Sequence, residues 1–157
     1  MGYNSSLKII NLIEPHHFTK LMDCIFCKII KKEIPAKIIA ETEKSLAFMD
    51  AFPLTKGHSL VIPKKHYEKV QDISLEDNAD LFETVRKTIA KVDKITNATL
   101  LAVHNGKASG QEIPHVHVHL IPRSSKDSAG PVHSMFHKIS KLSDSEINEL
   151  YDKLKES

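Results

Sequence analysis

Three histidines alternate with aliphatic residues in the run Pro114-His115-Val116-His117-Val118-His119-Leu120-Ile121. On a strand, side chains alternate faces, so the three imidazoles would share one side and Val116, Val118 and Leu120 the other. Neighbouring rings would stand roughly 6–7 Å apart, twice the rise per residue. That is too wide for ring-to-ring hydrogen bonds along one strand, but close enough to bracket a phosphate. Near neutral pH a histidine can serve as nucleophile, proton carrier or cationic donor. One ring can attack phosphorus while a neighbour neutralises charge on the non-bridging oxygens. The loop Gly106-Lys107-Ala108-Ser109-Gly110, just upstream, offers backbone N–H groups to the same anion. Taken alone, the pattern also fits a metal site, because imidazole is a common ligand, or the polar face of a half-exposed strand.

A second group capable of chemistry is Cys24-Ile25-Phe26-Cys27, a C-x-x-C at zinc-ligand spacing. A tetrahedral site needs two further ligands that this motif does not supply. Two buried free thiols are the plain alternative. A redox pair fits less well, since no thioredoxin-like βαβ pattern follows. Two cysteines so placed are no secreted disulfide framework.

The elements that must position these groups follow from punctuation and periodicity. Cys24 to Lys32 reads as a short helix or turn, broken at Ile34-Pro35. Lys37–Glu41 and Ser45–Asp50 read as strands joined by Thr42-Glu43-Lys44, a link short enough for an antiparallel hairpin. After a loop over 51–57, His58–Ile62 is a third strand, stopped by Pro63. A long helix starts near Ser74, with Asp77 as a weak capping-box partner and Phe82, Val85, Ile89 and Val92 on one face. Thr99–Val103 and Val116–Ile121 complete five strands. Ser143 with Glu146 signals a capping box for a C-terminal helix to about Lys155. Strands in this order suit an α+β fold better than a doubly wound sheet. Residues 1–22 read as an N-terminal extension, in which Leu7–Ile13 is apolar enough to pack on something. The domain proper spans 23–130, and 131–157 is a helix-bearing segment of the same domain. His133 and His137 have no motif around them and read as surface residues.

Bulk properties exclude several classes. A chain of 157 residues fits one domain with a real core. With 41% hydrophobic and 27% charged residues it is an ordinary globular composition. A formal charge of +2, spread along the chain, gives no signal for nucleic-acid or membrane binding. No run of about 18 apolar residues suggests a membrane span, and the first residues lack a secretory pattern. The expected location is the cytoplasm.

Several motifs in order resemble the histidine triad (HIT) family. Asn105 to Arg123 is similar to its signature, and Cys24-Ile25-Phe26-Cys27-Lys28-Ile29-Ile30 to its usual domain start. Glu33-Ile34-Pro35-Ala36, Ala47-Phe48-Met49-Asp50 and Gly57-His58-Ser59-Leu60-Val61-Ile62-Pro63-Lys64-Lys65-His66 lie between. The match runs over about residues 23–123 and looks most like the Hint branch and its bacterial-type relatives. The resemblance implies the HIT fold: a five-stranded antiparallel sheet with one long helix, extended across a homodimer.

By the same resemblance His117 is the nucleophile on an α-phosphorus, forming a nucleotidyl-histidine that passes to water. His119 contacts phosphate oxygens and helps protonation steps, and His115 and His58 complete the histidine set. Asp50 takes the ribose hydroxyls, and Ile25, Phe26, Ile29, Phe48 and Leu60 the base. His104, Asn105, Gly110, Gln111, Glu112 and Ile113 belong to the phosphate-side loop. Zinc-bearing members complete a site with the equivalents of His66 and His115, so Cys24, Cys27, His66 and His115 are the implied structural zinc ligands. No organic cofactor is implied. Two positions depart from the pattern: His104 stands where Hint proteins usually carry asparagine, and Glu112 where the animal type has serine. The C-terminal part also lacks the Trp-Pro-Pro ending of animal Hint proteins.

The activity this implies is hydrolysis or transfer at the α-phosphate of purine nucleoside phosphoramidates of the AMP type. The alternatives are a dinucleoside polyphosphate hydrolase of the Fhit type, and a nucleotide- or zinc-binding partner protein with vestigial activity.

Overall fold

The computed structural model describes residues 23–136 and 140–156. The extension over 1–22 and His137 lie outside the described residues; His133 is exposed. Two compact units are present, one ending at Ser125 and one spanning Lys126–Ser157.

The first unit holds helix α1 (Ile25–Ile30), strands β1 (Ile38–Glu41), β2 (Ser45–Met49) and β3 (Ser59–Pro63), helix α2 (Leu75–Thr96), and strands β4 (Thr99–Ala102) and β5 (Val118–Pro122). The sheet order is β1-β2-β3-β5-β4, antiparallel at every pairing. Thr42 makes the β1–β2 hairpin. Its Oγ1 accepts from the N–H groups of Lys44 (3.2 Å) and Ser45 (2.8 Å), the local turn chemistry of hydroxyl residues. The same Oγ1 donates to Asp80 on α2 (2.7 Å), which ties the hairpin to the helix.

β3 is buried along its whole length and β2 along all but Met49, because the sheet is covered on both faces. On one face Ala47, Val61, Val116, Val118 and Leu120 pack with Leu81, Val85 and Val92 of α2. On the other, Leu46, Phe48, Leu60 and Ile62 pack with Cys24, Phe26 and Cys27 at α1. Strand alternation therefore sends the aliphatic half of the histidine run toward α2, leaving the imidazoles to the α1 face.

Two local expectations shift. β5 begins at Val118 rather than Val116. Continued, the register with β3 would set Pro63 opposite Val116, but Pro63 has no N–H and its carbonyl is taken by the His115 ring. Val116 N–H instead donates to the Tyr67 carbonyl (2.7 Å). On α2, capped as expected by Ser74 accepting from Asp77 N–H, the buried stripe is Leu81, Thr84, Val85, Thr88 and Val92. Phe82 is 42% exposed. Thr88 enters this stripe with its Oγ1 donating to the Thr84 carbonyl (2.7 Å).

In the second unit a turn of 3-10 helix over Val132–Met135 precedes α3 (Asp144–Lys155). Its capping box is formed: Ser143 N–H donates to Glu146 Oε2 (2.8 Å) and Glu146 N–H to Ser143 Oγ (3.3 Å).

Candidate functional site

Two groups of side chains meet on the α1 face, and the histidine run is divided between them. His115, fully buried, joins Cys24, Cys27 and His66; the donor atoms of these four lie within 4.8 Å of one another. Cys24 Sγ is 3.5 Å and Cys27 Sγ 3.6 Å from His115 Nδ1, and Cys27 Sγ is 3.3 Å from His66 Nδ1. A tetrahedral zinc with Zn–S of about 2.3 Å and Zn–N of about 2.0–2.1 Å has S···N edges of roughly 3.5–3.6 Å. The three separations match those edges to within a few tenths of an ångström. His115 Nε2–H donates to the Pro63 carbonyl (2.8 Å), so its Nδ1 lone pair is directed at the thiols. Burial, with Cys24 beside it, pushes the Cys27 thiol up to about 12, and burial pulls His115 down to about 4. Burial of this kind favours neutral groups, and a divalent cation would reverse that preference at the thiols. The residues present fit a metal.

The second group is His117, His119, His58 and His104, with Asp50. His117 Nδ1–H donates to the His115 carbonyl (2.7 Å), since a carbonyl only accepts. The lone pair therefore sits on Nε2, the form a nucleophile needs. Burial lowers the His117 pKa, the opposing influences being that carbonyl, Asp50 and Glu112, so the ring is neutral near pH 7. Phe26 holds it edge-on at 5.2 Å between centroids and touches His115 in the same way at 5.8 Å.

A chain of hydrogen bonds sets the next two tautomers. Leu54 N–H donates to His58 Nδ1 (3.1 Å), so the His58 proton is on Nε2. His58 Nε2–H donates to His119 Nδ1 (3.0 Å), so the His119 proton is on its own Nε2. That His119 Nε2 is buried and has no hydrogen-bond partner among the described residues. A buried, unpartnered donor is costly, about 1–3 kcal/mol, and marks a place where an acceptor belongs. The His117 and His119 rings stand 4.9 Å apart at 70°, nearer than strand spacing alone provides. Burial first, then the neighbouring imidazoles, pulls His119 down to about 4.

Asp50 Oδ2 is 3.6 Å from His58 Nε2, and its Oδ1 accepts from Phe52 N–H (2.8 Å). Asp50, His58 and His119 also lie within ligand range of one another. The Leu54 bond, however, keeps a proton on His58 Nε2, and that nitrogen is therefore a donor to His119 rather than a metal ligand.

The other residues singled out in the sequence divide clearly. Phe26, Phe48 and Leu60 form one apolar cluster with part-buried Ile29 and Ile113, while Ile25 is 43% exposed on α1. Asn105 and Gln111 brace the loop. Asn105 Oδ1 accepts from Val70 N–H (2.9 Å) and its Nδ2 donates to Gln71 (3.0 Å). Gln111 Oε1 accepts from Gly106 N–H (2.7 Å) and its Nε2 donates to the Glu68 carbonyl (2.9 Å). Gly106 and Gly110 have φ of +109° and +96°, conformations that side chains rarely adopt. Gly110 lies against His104: a β-carbon there would be 3.6 Å from the His104 ring. Glu112 is exposed, and its charge acts on His117. The groups that sequence reasoning missed are backbone atoms, namely the carbonyls of Pro63 and His115 and the N–H of Leu54. No residue-type signal marks them.

A family model described as HIT domain matches residues 31–126. An uncharacterized HIT-like protein of Methanocaldococcus jannaschii is 45% identical over 105 residues, covering 66% of this chain and 81% of that protein. The adenosine 5'-monophosphoramidase hnt1 of Schizosaccharomyces pombe is 44% identical over 106 residues, covering 68% and 78%. Among solved structures, a hypothetical protein from Leishmania major aligns with a TM-score of 0.74 and 37% identity over 87% of this chain and 96% of that one. A Zn-bound histidine triad family protein from Mycobacterium smegmatis aligns with a TM-score of 0.61 and 34% identity over 68% and 79%.

Proposed function

The chain belongs to the HIT family, and from that premise we propose that it hydrolyses AMP-type phosphoramidates of purine nucleosides through a covalent nucleotidyl-His117. The observation that carries this reading is the paired state of two rings. His117 presents an unprotonated Nε2, and 4.9 Å away between centroids His119 presents an Nε2–H with no partner among the described residues. One is a nucleophile, and the other a donor for a non-bridging phosphate oxygen. The 44% identity to a protein named adenosine 5'-monophosphoramidase supports the choice of substrate class.

In this mechanism His117 Nε2 attacks the α-phosphorus as the bond to the leaving group breaks. The His115 carbonyl holds the Nδ1 proton throughout, so the ring carrying the nucleotide keeps a partner for its charge. Water then displaces the nucleotide and restores the imidazole. Asp50 accepts from the ribose hydroxyls, and Phe26, Phe48, Leu60 and Ile113 cover the base. The loop over 110–113 lies along the phosphate; the N–H groups of Gly106, Ser109 and Gly110 are taken by Gln111 Oε1 and by carbonyls of the loop itself.

We assign Cys24, Cys27, His66 and His115 to a structural zinc. Bound there, the metal would supply charge to hold the two thiolates and fasten α1 to the segment carrying the nucleophile. The free cysteine pair suits a reducing compartment, the cytoplasm being the expected one. No described helix is long and apolar enough to cross a membrane. We further propose a homodimer joined at a sheet edge; β1 and β4 are the two edges, and Ile38 and Leu101 on them are exposed.

The test is intact-protein mass after brief mixing with an adenosine phosphoramidate. A transient gain of one AMP in the wild type, absent in His117→Ala, is expected. No adduct and no turnover, with AMP binding retained, would instead favour a nucleotide-binding protein.

A further inference from the structure

Two of the groups that hold the His117 ring belong to the cysteine cluster. Its Nδ1–H donates to the carbonyl of His115, whose own Nδ1 lies 3.5 Å from Cys24 Sγ and 3.6 Å from Cys27 Sγ. The His117 ring also meets Phe26 edge-on at 5.2 Å between centroids. Phe26 stands inside the Cys24-Ile25-Phe26-Cys27 turn and packs on Phe48 at 5.8 Å. A change in how the two sulfurs sit therefore reaches His117 by two routes, through Phe26 and through the backbone of His115.

The sulfurs are placed to bond with each other. Both cysteines are free, and their Sγ atoms lie no more than 4.8 Å apart, with Cys24 capping α1 and Cys27 in its first turn. A disulfide holds its sulfurs at about 2.05 Å, whereas two thiolates on one tetrahedral zinc stand roughly 3.7–3.8 Å apart. Bridging closes that gap by about 1.7 Å, and disulfide sulfurs carry no charge to hold a cation. The sheet is antiparallel at every pairing, so the pair does not sit on the βαβ frame of a dithiol oxidoreductase. Cys24 is 6% and Cys27 7% exposed, which admits a small oxidant and not a bulky one.

We propose that Cys24 and Cys27, placed around Phe26 and against His115, close a reversible disulfide under hydrogen peroxide and so switch the nucleotide site off. The proposal rests on the hydrolase reading above. In the first step the sulfur of one thiol bonds to a peroxide oxygen, the oxygen–oxygen bond breaks, and the departing hydroxide takes the thiol proton as water. In the second step the other sulfur attacks the sulfenic sulfur, the sulfur–oxygen bond breaks, and hydroxide leaves with the second thiol proton as water. Two electrons have passed from the two sulfurs to the peroxide, which has become two waters. A dithiol reductant returns both thiols by exchange and leaves as its own disulfide.

The experiment follows the full chain through three states: reduced with zinc, treated with a small excess of hydrogen peroxide then catalase, and treated afterwards with dithiothreitol and zinc. On oxidation the intact mass is expected to fall by two hydrogens per chain, with peptide mapping placing the bridge between Cys24 and Cys27. A chromogenic chelator should register zinc released as the bridge forms. The rate of nucleotidyl adduct formation should drop about 10²-fold, the scale of a misplacement of about 1 Å. AMP affinity should fall about tenfold, because Phe26 lies in the apolar cluster assigned to the base. Dithiothreitol with zinc should restore the mass, the rate and the affinity. Cys24→Ser cannot bridge and should show no loss that dithiothreitol reverses; the three wild-type states decide the matter even if this variant fails to fold. A gain of oxygen without a bridge, a bridge between two chains, or a Cys24–Cys27 bridge that leaves rate and affinity within about threefold each overturns the proposal. Reduced protein that turns over no phosphoramidate would refute the hydrolase reading alone, and the mass and AMP affinity would still decide the thiol switch.

Discussion

Replacing His58 by phenylalanine tests whether a hydrogen-bond chain, rather than the triad alone, prepares the site. His58 is 2% exposed and sits between Leu54 N–H at 3.1 Å and His119 Nδ1 at 3.0 Å. Phenylalanine keeps a planar ring, somewhat larger, and removes both contacts. His119 is then free to carry its proton on Nδ1, which would aim a lone pair at the phosphate oxygen. Losing one preorganised donor of this kind costs about 10²–10³-fold in kcat, or about 2.7–4 kcal/mol. Leaving the Leu54 N–H without its partner adds roughly 1–3 kcal/mol to the folding cost, so a urea titration must accompany the kinetics. Glutamine at 58 should separate the two effects. Its amide N–H can replace the donor to His119 and should recover most of kcat, while stability stays reduced because the Leu54 contact is not rebuilt. The assay is steady-state hydrolysis of an adenosine phosphoramidate by the three proteins. A kcat for His58→Phe within about threefold of wild type, or a glutamine variant no better than phenylalanine, would refute the chain as the device that sets His119.

Three further outcomes are expected. Purified protein should contain about one zinc per chain by elemental analysis, and Cys27→Ala should reduce this to near zero and lower the Tm; an unchanged metal content would disprove the ligand set. Because burial holds His119 near 4 in the folded state, the unfolded chain binds its proton first as pH falls. The stability from this group should be complete above about pH 6.5 and decline toward about pH 4, read as the urea midpoint against pH; a midpoint that rises on acidification would contradict it. Leu81→Ala, at a fully buried α2 position, should cost about 2–5 kcal/mol by urea denaturation and leave AMP affinity unchanged. A cost under about 1 kcal/mol would show that α2 is not the core helix.

Much of the architecture is legible along the chain because it rests on local physics. Thr42 closes a hairpin with its own hydroxyl, Ser74 and Ser143 cap helices three residues from their partners, and Pro63 stops a strand by lacking an N–H. The helical face of α2 was legible only to within one position. A threonine can hide its hydroxyl on its own backbone, as Thr88 does, and periodicity gives no sign of when it will.

The site divides in the same way. The order of residue types determined which groups could do chemistry: a row of imidazoles, a pair of thiols, and a glycine-bearing loop beside them. Strand alternation also determined that Val116, Val118 and Leu120 turn away from the histidines. Tertiary structure alone decided how that row is shared. Docking of α1 brings Cys24 to His115 across 91 residues, which takes the first histidine into the cysteine group. Pairing of β3 with β5 brings His58 to His119 across 61 residues, which takes the third into a proton-ordered chain. It likewise turned Asn105 and Gln111 into braces of the loop. The physical reason is one of range. Side-chain direction repeats every two residues and can be read locally, whereas the tautomer of an imidazole depends on which atom lies about 3 Å from each nitrogen, and those atoms are often backbone groups supplied by distant strands.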